Sequence, residues 1–140
     1  TQLLVIDSPA ALKRKRLEEL VRLADIVILP VLPSVFDETT TRRFLTTLEK
    51  LKPVRKGKRP VAVIGNRVRA RTRTAARLDD FLGEVGQRSV ASLRDTQLYP
   101  ASAAAGLSLF DLRSRRAAGF VGDWQPLLSF IDEITAPGGG

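Results

Sequence analysis

The sequence predicts an α/β fold, a parallel sheet with flanking helices, and three observations carry that prediction. Short apolar runs of strand length recur at 3–6, 25–31, 60–65 and 89–93. Between them lie segments whose apolar residues fall at helical spacing. One run, "DIVILPV" at 25–31, is apolar almost throughout, as expected of a strand covered on both faces. Strand–helix alternation of this kind builds right-handed βαβ units around a parallel sheet.

Each element has its own justification. "LLVI" at 3–6 reads as the first strand, with Asp7 at its end and Ser8-Pro9 breaking the run. A helix is expected from about Ala10 to Ala24, turning Leu12, Leu17, Leu20, Val21 and Ala24 inward. After the strand at 25–31, Asp37 or Thr39 can cap a helix whose core face is Phe44, Leu45, Leu48 and Leu51. Pro53 is expected to stop it, leaving "VRKGKR" as an exposed loop. "PVAVIG" at 60–65 makes the third strand, ending on Gly65-Asn66. A helix from about Thr74 to Val85 carries Ala75, Leu78, Leu82 and Val85 on one stripe. "SVASL" at 89–93 is the fourth strand. The last helix, from about Asp123 to Ile134, is expected to bury Trp124, Leu127, Leu128, Ile131 and Ile134. "PGGG" at 137–140 reads as a frayed tail or linker, and no internal repeat is visible.

Composition narrows the chemistry. A chain of 140 residues, 44% of them apolar, suits one domain with a real core. No apolar run approaches the roughly 18–20 residues needed to cross a bilayer, and no secretory n-region precedes "LLVI". With neither Cys nor His, the chain has no disulfide, no thiolate metal site, no cysteine nucleophile and no histidine-based triad. A cytoplasmic compartment is the expectation. The chain starts at Thr1 and contains no Met, so it is expected to be part of a longer polypeptide.

The net charge of +8 is unevenly spread. Lys50 to Arg77 holds eleven Lys or Arg residues and no Asp or Glu, and a second knot, Lys13-Arg14-Lys15-Arg16, follows the opening motif. Clustering of this kind suits a polyanionic partner; the bland alternative is a solvated basic face.

Four segments, in order, resemble the C-terminal half of a ParA/MinD-type deviant Walker ATPase, closest to ParA-like partitioning proteins. "LLVIDSPA" resembles that family's Walker B strand and switch. "LADIVILPVLPSVFDETTTRRFLTTLEKLK" is similar to its Ala-Asp-x-Val-Ile-x-Pro-Val-x-Pro strand and following helix. "VAVIGNRV" resembles the strand ending in Asn-Arg that recognises adenine, and "YPASAAAGLSLFDL" the family's segment near the C-terminus. The resemblance implies a partial P-loop NTPase fold of the SIMIBI type, Rossmann-like. Residues 1–136 would be the C-terminal portion of a nucleotide-binding domain that lacks the P-loop, and 137–140 a flexible tail.

What the resemblance implies for residues follows from those matches. Asp7 would orient a Mg²⁺-bound water beside the β- and γ-phosphates of ATP, with Ser8 and Pro9 beginning the switch. A turn or capping aspartate before Pro9 is the structural alternative. Asn66 and Arg67 would meet the adenine, although Asn66 also reads as a turn residue after Gly65. Arg94, Asp95 and Thr96 would lie along the base, where the family's usual Pro is absent. No Walker A loop or signature Lys is present, so the triphosphate has no cradle within these residues and Mg²⁺ and ATP belong to the full-length parent. In the family's sheet the P-loop strand lies between the strands matched by Leu3–Ile6 and Ile26–Val31. Direct pairing of those two, or a segment filling the slot, is the expectation.

Partners follow in the same way. The last helix carries Asp132 and Glu133 without Lys or Arg, against a basic membrane helix. ParA-like relatives bind duplex DNA non-specifically as ATP-dependent dimers, which places such proteins on the nucleoid, and a ParB-like protein would be the partner. The residues expected to face DNA are Arg55, Lys56, Lys58, Arg59, Arg69, Arg71, Arg73 and Arg77, through counterion release. Few aromatic residues are available to stack single-stranded bases. The alternative is a non-enzymatic fragment or degenerate paralogue that binds nucleic acid or a protein through the same basic face.

Overall fold

A computed structural model describes residues 2–9 and 11–137. Three parallel strands, β1 (Val27–Val31), β2 (Val61–Val68) and β3 (Ser89–Arg94), form one sheet in the order β1-β2-β3. Seven helices accompany them among the described residues: α1 (Arg14–Leu23), α2 (Glu38–Lys50), α3 (Lys52–Arg55), α4 (Arg73–Glu84), α5 (Leu98–Ala104), α6 (Arg115–Gly122) and α7 (Gln125–Thr135). A short 3-10 turn spans Leu109–Asp111. The parallel α/β architecture is the expected one and is consistent with a Rossmann-like fold. None of the described helices is long and apolar enough to cross a membrane.

Strand alternation assigns the two faces of the sheet. Val31 and Val63 point to one face and pack with Leu45 of α2 and Leu78, Phe81 and Leu82 of α4. Nearer the amino end of that face, Val27 and Val61 meet Val21 of α1, Leu48 and Leu51. On the opposite face Ile64, Ala91 and Leu93 are covered by Leu127, Trp124 and Ile131 of the α7 region. Among the described residues nothing comparable covers β1 there, and Ile28 and Pro30 are exposed. The expectation that 25–31 is covered on both faces is therefore corrected.

The first expected strand does not form. Leu3, Leu4, Val5 and Ile6 have no regular structure and are exposed, with Val5 88% accessible. The slot beside β1 is neither filled nor closed by residues 3–6. Val27 N–H donates to Pro60 O on the β2 side. By alternation Leu29 and Val31 face β2 as well, so Ile28 and Pro30 face the free edge. Pro30 has no N–H, which removes one of the few donors that edge could offer a fourth strand. Without a ladder partner, four apolar residues have no reason to be a strand.

Helix boundaries shift for local reasons. Ala11 takes a left-handed φ of 61°, so α1 begins at Arg14 rather than near Ala10, a position that itself lies outside the described residues. Asp37 caps α2, its carboxylate accepting from Thr40 N–H at 2.6 Å. Phe44, expected in the core, is exposed. Pro53 does not end α2; it sits in the first turn of α3, where a missing N–H costs nothing, and α3 takes up part of the expected loop. β2 runs three residues past Gly65, to Val68. Leu128 and Ile134 of α7 are exposed, contrary to expectation, because α7 covers only β2 and β3. Of the expected tail, only Pro137 is among the described residues.

Candidate functional site

The carboxyl ends of β2 and β3 bring the expected base-contacting residues side by side. Between the pairs Gly65↔Ser92 and Val68↔Arg94, β2 has two residues, Asn66 and Arg67, where β3 has only Leu93. This is a β-bulge, a device that re-aims side chains at sheet ends. The left-handed residue in it is Arg67, φ 52°, and not Asn66. A non-glycine residue there costs about 1–2 kcal/mol. Gly65 is needed for the bulge: a Cβ on it would lie 2.8 Å from Val68 Cγ2.

Asp95 closes the bulge from the β3 side. Its N–H donates to Val68 O at 3.0 Å, fixing its backbone against the end of β2. Its half-buried carboxylate accepts from Arg69 Nε at 3.0 Å and from Arg67 Nε at 3.4 Å. The bond from Arg69, then that from Arg67, holds the carboxyl below its usual range against the opposing effect of burial. Beside it, Thr96 Oγ1 accepts from Leu98 N–H at 3.3 Å and shapes the turn into α5. Asn66 is half-buried.

Arg94 has a different role from the one expected. Its Nε donates to Asp123 Oδ2 at 2.9 Å and its Nη2 to Gly119 O at 3.0 Å, while Arg94 N–H also donates to Asp123. The guanidinium lies over the Phe120 ring, 4.5 Å from its centre. With its donors committed in this way, Arg94 ties the end of β3 to the α6–α7 region rather than facing a ligand. The Asp123 bond raises its pKa above the ordinary arginine value, so the tie stays charged.

The basic run from Lys50 to Arg77 does not make one surface. β2 passes through its middle as a largely buried strand, with Ala62, Val63, Ile64 and Gly65 inside. Arg55, Lys56, Lys58 and Arg59 therefore sit at the amino edge of the sheet, and Arg67, Arg69, Arg71 and Arg73 at the carboxyl edge. β2, which runs about 23 Å from Val61 to Val68, carries the chain from one group to the other. Arg59 is half-buried, donating to Lys58 O and Arg22 O, while its buried Nε has no hydrogen-bond partner among the described residues. It lines an open hollow of about 210 Å³ with Leu45, Glu49 and Val54. Arg77 is also committed, to Glu38 at 2.6 Å and to the face of Phe36. Arg71 adopts a left-handed φ of 62°, and Thr72 caps α4 by accepting from Ala75 N–H.

Asp7, Ser8 and Pro9 are exposed on the irregular segment that was expected to be a strand. No ion pair between described residues involves Asp7, and those residues contain no cluster of three acidic side chains able to hold a metal ion. A triphosphate with its Mg²⁺ needs a nest of backbone N–H groups and several oxygen ligands. Among the described residues no group of three acidic side chains supplies such a ligand set. Sequence reasoning placed Arg67 with the base and missed its pairing with Arg69 on Asp95. The i, i+2 spacing of the two arginines at a strand end was the available signal. No protein-family model matches the sequence, and no curated protein matches it.

Proposed function

We propose that this chain is the C-terminal portion of a ParA-like nucleotide-binding domain that, within a complete ATPase, serves DNA partitioning or cargo positioning. One observation carries the reading: the β2 bulge and the β3 end bring Asn66 and Thr96 to the carboxyl edge of a parallel sheet. That edge is where open α/β sheets take their ligands. The Asn66 side-chain amide offers both donor and acceptor groups, the combination an adenine edge requires. The motif order, from "LLVIDSPA" through "VAVIGNRV" to "YPASAAAGLSLFDL", supports the same reading. Asp7 is then half a site whose phosphate cradle is supplied by another segment. The complete protein would act in the cytoplasm on the nucleoid as an ATP-dependent dimer, with a ParB-like partner.

A second reading is favoured by the exposed arginines at the carboxyl edge: a non-enzymatic module that binds nucleic acid. Titrating the isolated chain with adenosine and guanosine by NMR separates the two. Adenosine-selective shifts at Asn66 and Thr96 support the first reading, and their absence leaves the second. The isolated chain is expected not to hydrolyse MgATP. In the complete polypeptide Asp7→Ala is expected to abolish turnover with the fold intact. Robust ATPase activity from these 140 residues alone would overturn the half-site reading.

A further inference from the structure

We infer that Arg67 and Arg69, gripped by Asp95, form a two-guanidinium clamp for the phosphodiester backbone of duplex nucleic acid, with Asp95 as the positioning residue. The inference rests on the second reading of the proposed function, the nucleic-acid-binding module, and identifies which part of the basic surface does the binding.

The geometry is specific. Each arginine meets Asp95 through Nε alone, one on each carboxylate oxygen, Arg67 on Oδ1 and Arg69 on Oδ2. The terminal Nη groups make no hydrogen bond with a described residue, and the two side chains are 65% and 76% exposed. An arginine held by Nε keeps its Nη1–Nη2 edge for a bidentate phosphate contact. Asp95 is in turn fixed by its N–H on Val68 O. Two positive charges against one negative leave the cluster net positive, so Asp95 orients the pair without neutralising it. The left-handed backbone at Arg67 is a strained conformation of the kind that collects at binding sites.

The surroundings favour a polymer over a single phosphate. Arg71 and Arg73 continue the basic loop and are exposed. The segment 61–80 contains no aromatic residue on which an unpaired base could stack, which favours a duplex.

The test is binding of a labelled duplex of arbitrary sequence to the 140-residue chain, as a function of salt from about 50 mM upward. The double variant Arg67→Ala/Arg69→Ala is expected to weaken binding and to lower the slope of log affinity against log salt by about 1.8, or 0.9 for each phosphate left without its arginine. Arg55→Ala/Lys56→Ala, at the other end of β2, is expected to change the slope by less. Asp95→Asn separates positioning from charge. It adds one positive charge, so charge alone predicts tighter binding, whereas loss of the grip predicts weaker binding, restored in part by Asp95→Glu. Arg67→Lys/Arg69→Lys keeps every charge and is expected to bind more weakly, since an ammonium cannot grip Asp95 and fork a phosphate together. It also stands in for Asp95→Asn should that variant fail to fold. Tighter or unchanged binding by folded Asp95→Asn, or unchanged binding by the lysine variant, overturns the clamp while leaving the basic surface as a binder. No duplex binding by the unmodified chain at low salt overturns both the clamp and the nucleic-acid reading.

Discussion

The two ends of β2 carry similar sets of basic residues and use them differently. At the amino end Arg55, Lys56 and Lys58 are exposed on and beside a short helix, and Gly57 makes the turn with a φ of 66°. At the carboxyl end, by contrast, it is an arginine that takes the left-handed conformation, and the residue just past the neighbouring strand supplies the acid that holds it. A turn that only has to reverse the chain uses glycine, which adopts positive φ without strain. A loop that has to aim a side chain cannot. Linear charge density sees one basic run; the sheet divides it into a solvated end and an organised end.

Core substitutions test whether the carboxyl end is also the more firmly packed. Phe81 is fully buried under that half, tilted against Phe36 with ring centres 5.6 Å apart and with the Arg42 guanidinium 5.1 Å from its ring centre. Phe81→Ala is expected to lose about 3–5 kcal/mol in urea unfolding. Leu48, equally buried under the amino half, is expected to lose about 2–5 kcal/mol on change to Ala, toward the lower part of that range. If Leu48→Ala proves the more damaging, the organised end owes nothing to the core beneath it.

Two glycines sharpen the comparison at a smaller scale. Gly65→Ala drives a Cβ to within 2.8 Å of Val68 Cγ2, a stiff β-branched side chain at the far side of the bulge. The expected loss is about 1–3 kcal/mol, together with altered chemical shifts at Arg67 and Asp95. Gly57→Ala meets nothing within 4 Å and is penalised only for its positive φ, about 1–2 kcal/mol. Its effect should stay local to the turn. Shift changes that reach Asp95 from Gly57, or none there from Gly65, would remove the distinction between the ends.

How much of this was legible in the residues differs by element. Strands within 25–31, 60–65 and 89–93 (though not the run of β2 on to Val68), the Asp37 cap and the Leu45, Leu48, Leu78 and Leu82 core follow from period and cap chemistry, which are local properties. The failed strand at 3–6 is a property of its missing neighbour, and an apolar run alone cannot report one. Pro30 was the clue that β1 stands at an edge, overridden by the apolar run around it. Helices α5 and α6 were not anticipated, because "LYPASAA" and "RRAAGFVG" carry short or weak apolar stripes. Asn66 and Asp95 were both singled out as site residues. The Arg67–Asp95–Arg69 cluster depends on a register shift between two strands, which no single segment encodes. Arg94 was assigned a ligand although its partners, Asp123 and Gly119, lie more than twenty residues away.

Below the glycines in size is the cap that links the basic loop to α4. Thr72 Oγ1 accepts from Ala75 N–H at 3.3 Å and donates to Arg69 O at 2.7 Å, so one hydroxyl closes the helix and holds the loop. Thr72→Ala is expected to lose about 1 kcal/mol in thermal or urea unfolding, and Thr72→Ser to restore most of it. A cap at the amino end has no such second duty: Leu51, before α3, makes no side-chain cap bond. If Thr72→Ala lowers stability but leaves the Arg69 resonances unmoved, the hydroxyl acts on the helix alone.

The smallest expected effect is electrostatic and distinguishes Asp95 from an acid held by neutral groups. Asp95 and Asp111 both titrate below the ordinary value of 3.8, but for different reasons. Asp111 is lowered chiefly by the backbone N–H of Ser108, a neutral donor at 2.8 Å. Asp95 is lowered chiefly by the bond from Arg69, a charged donor. A carboxylate whose folded value lies below its unfolded value contributes stability that is present above the unfolded value and lost as pH falls through the folded one. Both acids therefore favour the fold at neutral pH and cease to do so in acid below 3.8. Salt separates them, since screening weakens attraction between exposed charges far more than it weakens a bond to a neutral amide. Followed by NMR, the Asp95 midpoint is expected to rise toward the ordinary value as salt increases, while that of Asp111 stays in place. Arg69→Ala should move Asp95 further than Arg67→Ala, because the Arg69 bond is 3.0 Å and the Arg67 bond 3.4 Å. Equal shifts from the two variants would make the grip symmetric, and a salt-independent Asp95 would mean that the backbone, rather than the two guanidinium groups, sets its charge.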